Sequence, residues 1–458
     1  MRNHLSPKLP DWVTHRSLLT LEDIPEHLEI TLKSYINPGN HGDPNTTRTQ
    51  ISIILSHTMP SLQPDPSQYT LRQITDLETI HYTRQQNAAS WKGQLSEQDY
   101  VTREMVLGKS KITSDKLKVF ILTSSNDNEP LLSVELLVRP AWKFVYDETT
   151  GKSVRKQILN GCIGGVFTYP KNRGKGLGKI MIDKLVSAAK EQYVGPDGYM
   201  FLYSEIGEYY TKNGFRSFGI DLMNIPMGEI DDTVGLTSEY ELINYHTFSP
   251  LLEMYAKQVD TELSLKTTED KITRVSIVPS GDLIDWFHIR SKYISYKLHY
   301  EKFDKKPIDF HTATYEDIVE KFNTIDPQQF GLKISENGKL VGAIVWTYDW
   351  TSKSENYCTV LKIIIVPGND VDSNTIKLLE CMRHHLKGSL ENQTSTKIVV
   401  WECEVSAAVK QFLVDKWNTK TGIENSSRSA LALCDDKEQD LMMNNKLIWE
   451  GNDKLPWF

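Results

Sequence analysis

The sequence predicts an α/β (α+β) protein of at least two domains, and three observations carry that reading. First, the stretch Asn160 to Phe215 reads as strand, basic glycine-rich loop, helix, strand and helix. Second, the residues just before it supply a strand, two helices and two more strands. Third, the second half runs through a similar order again, in a chain whose 458 residues exceed what a single core sustains.

Residues 1 to about 66 are punctuated by Pro10, Pro25, Pro38, Pro44, Pro60, Pro64 and Pro66, with the turn-rich run INPGNHGDPNTT between them. They are expected to form a partly ordered N-terminal arm, with Gln50–Ser56 as a lone strand. From Gln68 the pattern is regular. Tyr69–Ile74 alternates as a strand. Asp76–Gln94 and Ser96–Gly108 read as helices, the second opened by Ser96 with Asp99 in the closing position of a capping box. Leu117–Thr123 and Leu131–Val138 are strands joined across Ser125–Pro130, and YDETTGKSVRKQ reads as a polar insertion.

Strand Ile163–Thr168 ends at Pro170, which has no N–H to donate. The loop Lys171-Asn-Arg-Gly-Lys-Gly-Leu-Gly178 follows, then a helix over Leu177–Gln192 with Leu177, Ile180, Met181, Leu185, Ala188 and Ala189 on one face. Glycines permit positive φ and close approach, the helix start presents free N–H groups and a positive dipole end, and Lys171, Arg173, Lys175 and Lys179 add charge. This is a phosphate cradle. It is not a P-loop: only three residues stand between Gly174 and Gly178-Lys179, where that pattern has four, and Ile180 replaces the magnesium-binding hydroxyl. Nor is it a dinucleotide fingerprint, because Lys179 stands where the third glycine belongs.

What fits is Arg173-x-x-Gly176-x-Gly178 after a Val-Phe-Thr-x-Pro strand, which resembles the acetyl-CoA signature of the Gcn5-related N-acetyltransferases. Downstream, Tyr210-Thr-Lys-Asn-Gly214-Phe215 resembles that family's tyrosine segment. The resemblance implies a mixed, mostly antiparallel sheet with flanking helices over residues 67–245, with Phe218–Ile225 as its sixth main strand. Residues 246–458 would form a second α/β domain. There Asn337-Gly338 marks a hairpin between Phe330–Ser335 and Lys339–Tyr348. Val360–Val366, a helix at Ser373–Leu386, a strand at Lys397–Trp401 and a helical stretch to Trp417 follow. The loop Gly368-Asn-Asp-Val-Asp-Ser carries acids where cations belong and would repel a phosphate. The second domain is then a degenerate copy without its own cofactor; the alternative is an unrelated α/β domain.

The resemblance also assigns roles. Backbone groups of Val166, Phe167 and Thr168 would hold pantetheine and the thioester carbonyl. Arg173, Gly174, Lys175, Gly176, Leu177, Gly178 and Lys179 would hold the pyrophosphate of acetyl-CoA. Tyr210 matches the general acid, a phenol with an ordinary pKa near ~10 that is protonated at neutral pH; Tyr209 reads as packing. An ammonium of pKa near ~10.4 must lose a proton before it attacks. Glu135 and Glu205 are candidate bases, with a solvated strand face as the alternative for Glu135. Phe458 is a further candidate through its carboxylate, as in multidomain acetyltransferases of the enhanced-intracellular-survival type; a hydrophobic docking tail is the alternative. Arg139, at a strand end beside Pro140, is a candidate ligand for a substrate carboxylate, with surface charge as the alternative.

The run Leu202-Tyr-Ser-Glu-Ile-Gly-Glu-Tyr-Tyr210, with the long second half, resembles the fungal lysine N6-acetyltransferases of lysine catabolism. That implies free L-lysine as acceptor and N6-acetyl-L-lysine and CoA as products. A protein lysine, a polyamine or another small amine remains an alternative acceptor, and an acetyl-CoA-binding sensor without turnover is the alternative of another class. Composition sets the remaining expectations. A net charge of −8 argues against nucleic acid and mildly favours a cationic substrate. No apolar run reaches the ~18 residues of a membrane span, and the first residues lack the apolar core of a secretory signal. Five scattered cysteines without CxxC spacing indicate neither a metal site nor a disulfide framework, and suit a reducing, cytoplasmic setting. Nothing in the sequence sets an oligomeric state.

Overall fold

The computed structural model describes residues 64–228, 240–351, 356–387 and 395–458. The expected arm up to residue 63, with the strand Gln50–Ser56, lies outside the described residues. Pro64 to Phe458 form one compact unit built on two mixed sheets.

The first sheet starts with β1 (Tyr69–Ile74), β2 (Leu117–Ser124), β3 (Pro130–Asp147) and β4 (Lys152–Thr168), each antiparallel to the one before. Between β1 and β2 lie α1 (Leu77–Trp91) and α2 (Glu97–Gly108). Each helix begins where a side chain takes up a free first-turn N–H: Asp76 accepts from Thr79 at 2.7 Å and Ser96 from Asp99 at 3.0 Å. The polar insertion is corrected. It forms the outer half of the β3–β4 hairpin, where Asp147 accepts from Thr149 N–H and Thr150 Oγ1, and Gly151 takes φ +66°. After the loop, α3 (Leu177–Ala188) packs Ile180, Met181 and Leu185 against Leu122, Val134, Leu136 and Met200, with a π-type turn continuing it to Val194. Strand β5 (Tyr199–Ser204) then pairs parallel to β4, and β6 (Arg216–Phe218) forms the far edge.

The expected sixth strand, Phe218–Ile225, is also corrected. The chain leaves the first sheet after Phe218, and β7 (Leu222–Pro226) lies in the second sheet with Met223 and Ile225 fully buried. That sheet contains β8 (Tyr240–Asn244), followed by α4 (Ser249–Asp270), β9 (Thr273–Ile277), α5 (Gly281–Ser295) and α6 (Tyr315–Phe322). Of these, β9 belongs to the first sheet, antiparallel to β3. Next come β10 (Gln329–Glu336), β11 (Lys339–Trp350) and β12 (Asn356–Ile365), with Asn337 and Gly338 both at positive φ in the β10–β11 turn, as the sequence indicates. Helix α7 (Val371–Lys387) leads to β13 (Lys397–Trp401), which is parallel to β12. Then follow α8 (Ala407–Trp417), β14 (Lys420–Ile423), β15 (Arg428–Leu433), α9 (Asp436–Met443) and β16 (Leu447–Trp449), the last pairing with β9.

The strand orders reveal an exchange. The first sheet runs β1-β2-β3-β4-β5-β15-β6 and the second β8-β10-β11-β12-β13-β7-β14. Each has four antiparallel strands, one parallel step, and then a strand donated by the other half. β15 is buried along nearly its whole length, as a central strand must be. The second half is therefore a degenerate copy of the first, locked to it by the crossed strands β7 and β15 and by β9 and β16, which extend the first sheet beside β3. One face of the first sheet packs against α3; the other, through Leu137, Cys162, Phe201 and Leu431, joins a core that continues into α5 and the second sheet.

Candidate active site

The parallel pairing of β4 with β5 runs from Asn160–Tyr199 to Ile163–Leu202 and then stops. Beyond that point β4 carries one extra residue relative to β3, between the Glu135–Gly164 and Ser133–Phe167 pairs, and Gly165 takes φ +56° there. The bulge and the divergence open a notch. Ile163 to Thr168 form one wall of a cavity of about 640 Å³ whose other walls include Arg173, Leu202, Glu205, Tyr209 and Tyr210. Val166, Phe167 and Thr168 thus lie together where the sequence expects the thioester.

At the mouth of the notch the loop turns through Gly174 (φ +76°) and Gly176 (φ +72°). Gly176 is the N-cap of α3 and offers no side chain, so the first-turn N–H groups keep no side-chain cap. A Cβ on Gly178 would sit 2.7 Å from the Tyr209 hydroxyl, so a side chain there would push the Tyr209 ring aside. The nearby cations are held beside the seat. Arg173 donates to Thr168 C=O at 3.1 Å and lies over the Phe167 ring, Lys175 reaches Asn172 Oδ1 at 3.3 Å, Lys179 pairs with Asp183 at 2.6 Å and Lys171 pairs with Glu129. The Leu177 side chain is in the core, leaving its backbone to face the loop. Backbone donors with flanking positive charge fit a pyrophosphate.

Tyr210 and Tyr209 lie on a 3-10 turn, Tyr209–Asn213, closed by Gly214 at φ +86° and tied to α3 through Asn213, which donates to Lys179 C=O and Asp183. Tyr210 is buried against Tyr209 and Phe215, and burial holds its phenol well above the ordinary value, with Tyr209 and Glu205 adding to the rise. It stays a proton donor. Glu205 is exposed at the rim and accepts from Trp91 Nε1 at 3.1 Å. Glu135 is 9% exposed on the cavity wall beside Gly165. Burial pushes its carboxyl up to about 7, a rise opposed by Arg84 and reinforced by Glu104. A carboxyl poised near neutrality can exchange protons with an ammonium.

Phe458 also enters this cavity. Its ring closes on Gly164 and meets Trp286 edge-on at 5.8 Å between centroids. Arg139 does not line it. The Arg139 guanidinium is buried, donates to Pro456 C=O at 2.7 Å and lies over the Phe201 ring, so it holds the chain just before Phe458 and not a ligand.

The sequence reading missed the far wall. Arg84 and Asn87 of α1, Tyr100, Arg103 and Glu104 of α2, Trp286 and Arg290 of α5, and Trp457 all face the cavity. Arg103 pairs with Glu104, Arg290 lies 3.6 Å from Asp349, and Arg84 Nε has no hydrogen-bond partner among the described residues. One half thus supplies the notch and the other helps roof it. Only the inward register of Arg84 and Arg103 on their helices could have pointed to them, and a single sequence does not distinguish that from surface charge.

Residues 224–458 match the family model described as the LYC1 GNAT-like C-terminal domain. Among curated proteins, the chain is 25% identical over 432 residues to uncharacterized protein YGR111W of Saccharomyces cerevisiae, covering 84% of this chain and 96% of that one. It is 23% identical over 356 residues to a lysine acetyltransferase of Yarrowia lipolytica, covering 73% and 85%. A solved GCN5-related N-acetyltransferase from Anabaena variabilis aligns over 80% of this chain and 73% of its own, with 12% identity and a TM-score of 0.46. The family model spans more than half of the chain, and the chain belongs to the LYC1 GNAT-like family, the acetyltransferases of the GNAT type.

Proposed function

We propose that this chain transfers the acetyl group of acetyl-CoA to the side-chain amine of free L-lysine, giving N6-acetyl-L-lysine and CoA. The observation that carries the reading is a cavity lined by charges of both signs. Glu135 and Tyr210 line it with the β4 notch, and Arg84, Arg103, Arg290 and Glu104 bring opposite charges to the same space. An amino acid with a basic side chain presents a carboxylate for the guanidiniums, an α-ammonium for Glu104 and a second ammonium for Glu135. The Yarrowia relative, whose name states lysine acetylation, supports a lysine amine as the acceptor.

Acetyl-CoA, when bound, supplies the acetyl thioester; the loop from Arg173 to Lys179 would seat its phosphates and Val166 to Thr168 its pantetheine end. Glu135 takes the proton that the acceptor ammonium must lose, directly or through a water. Tyr210 holds its own proton and gives it up to the sulfur that leaves. Trp286, Trp457 and Phe458 exclude water from the acceptor end. The three guanidiniums disfavour polyamines and aminoglycosides, which bring positive charge and no carboxylate. The resemblance to the fungal lysine N6-acetyltransferases adds a place in lysine breakdown to this proposal.

The test is CoA release from acetyl-CoA with free L-lysine, ornithine, spermidine, a lysine-containing peptide and an aminoglycoside, with mass detection of product. Turnover confined to lysine, with the acetyl group on N6, is the expected result. Turnover on the peptide or spermidine alone overturns the acceptor assignment. CoA release from none of them, with acetyl-CoA still bound, overturns turnover on these amines and favours a sensor.

A further inference from the structure

The second half repeats the notch of the first. Its parallel pairing of β12 with β13 covers only Cys358–Ile398 and Thr359–Val399. Beyond it, Lys362, Ile363 and Ile365 face a second cavity of about 650 Å³, closed by α4 on one side and by residues 449–456 on another. This is the place of the cofactor notch in the copy, and it is filled differently. Lys362 Nζ lies 2.8 Å from Glu404 Oε1 and 2.6 Å from Asp453 Oδ2, with the three side chains 13%, 2% and 6% exposed. Glu404 accepts from Ile363 N–H at 3.1 Å, which fixes its second oxygen to β12. Asp453 accepts from Leu455 N–H at 2.9 Å, which sets the turn of the chain there.

From that turn the chain runs from the second cavity to the first. Asn452, Asp453, Leu455 and Pro456 line the copy's cavity, and Trp457 and Phe458 line the candidate active site. Groups of the first half hold the crossing: Tyr203 Oη donates to Asp453 C=O at 3.0 Å and Arg139 to Pro456 C=O at 2.7 Å. Trp457 then stacks on Phe287, with Lys454 Nζ 3.7 Å from its ring centroid.

We propose that the Lys362–Glu404–Asp453 cluster is a positioning device: the vestigial cofactor notch of the second half grips residues 452–458 and so holds Trp457 and Phe458 as the wall of the acceptor pocket. A buried ion cluster adds little stability over apolar side chains of the same volume, but it tolerates only one arrangement of its members. That suits a rigid post for a short segment with no helix or strand of its own. Lys362, Glu404 and Asp453 touch neither substrate and act through the two aromatic rings. The proposal rests on the reading of the first cavity as the acceptor pocket.

The experiment uses the full chain with Asp453→Asn, Lys362→Met and Lys362→Arg. Hydrogen–deuterium exchange of residues 452–458 is measured without ligand, together with KM for lysine and Kd for acetyl-CoA. Asp453→Asn and Lys362→Met are expected to speed exchange of the segment and raise the lysine KM about tenfold or more, leaving acetyl-CoA affinity unchanged, while Lys362→Arg restores both. Adding Asp453→Asn to a variant that lacks both rings, Trp457→Ala with Phe458→Ala, is expected to cost no more than loss of the two rings alone. Asp453→Asn keeps Lys362 paired with Glu404, so it serves if Lys362→Met fails to fold. Unchanged exchange in the segment, a further loss when Asp453→Asn is added to the variant lacking both rings, or acetyl-CoA affinity falling in step with the lysine KM each overturn the proposal. If lysine is not the acceptor, the exchange measurement still decides whether the cluster holds the segment.

Discussion

The ring of Phe458 lies against the backbone of Gly164 so closely that a Cβ added there would stand 2.7 Å from the ring Cε1 atom. Gly164 is the first residue of β4 beyond its pairing with β5, so the contact falls where the notch opens. A glycine in this strand is therefore a matter of close approach across the two halves, not of backbone freedom.

Gly164→Ala should push the Phe458 ring out of place. The expected outcome is a loss of about tenfold or more in kcat/KM for the amine, about 1.4 kcal/mol, with acetyl-CoA binding retained. Adding Phe458→Ala should remove the clash and bring the double variant to the level of Phe458→Ala alone. Steady-state kinetics on the three variants check this, and equal activity of Gly164→Ala and parent would count against the contact.

Glu135 carries a pH signature. Its folded carboxyl is pushed up to about 7 by burial, against ~4.3 when exposed in an unfolded chain. The folded state thus binds more protons over this window, so Glu135's contribution to stability falls as pH rises from about 4.3 through 7 and is level above. As a base it works only when ionised, so kcat/KM should climb with pH to a plateau above about 7. Glu135→Gln should lower kcat by about 100-fold or more and abolish that limb, while its thermal midpoint at pH 8 stays no lower than the parent's. A profile unchanged by the substitution would move the base elsewhere, with Glu205 next in line.

For the cradle, Gly176→Asp places a carboxylate directly in the phosphate seat, at a left-handed position (φ +72°) where a side chain costs about 1 kcal/mol of strain. Calorimetry should find acetyl-CoA binding lost, with the melting temperature of the free protein within a few degrees of the parent's. Binding at parental affinity would remove the loop from the site.

Tyr210→Phe keeps the packing against Tyr209 and Phe215 and removes only the hydroxyl. A drop of about 100-fold in kcat with unchanged Kd for acetyl-CoA is expected, within the range of acid catalysis by one group. If kcat holds, a water must protonate the leaving sulfur.

Local signals were legible in the sequence because local chemistry makes them. Asp76 and Ser96 cap the helices they were expected to open, and Asn337-Gly338 turns the hairpin it marks. The expected phosphate loop rests on signals of the same local kind, since a cradle is built from backbone within ten residues. The strand exchange was not legible. Phe218–Ile225 has the pattern of one strand, and nothing in its residues says that Met223 and Ile225 bury in the other half's core. The polar insertion hid for a related reason: the basic, mostly exposed run Lys152–Gln157 is the outer half of a hairpin, which β9, far along the chain, flanks through Ala141–Phe144 of β3. The acceptor wall depends on four separated segments, so Arg84, Arg103, Arg290 and Trp457 carry no shared signal until the fold assembles them.

The exchange of β7 and β15 also sets an order of events during synthesis. β5 and β6 of the cofactor-binding sheet are made early, but the strand that belongs between them is made on the order of 200 residues later, roughly ten to forty seconds at ordinary elongation rates. For that interval the nascent sheet has two open edges, a state prone to mispairing. The loop of the proposed cradle and Tyr210 are thus synthesised before the sheet that supports them can close, and a nascent chain completes the sheet beneath the proposed acetyl-CoA site only once β15 has emerged.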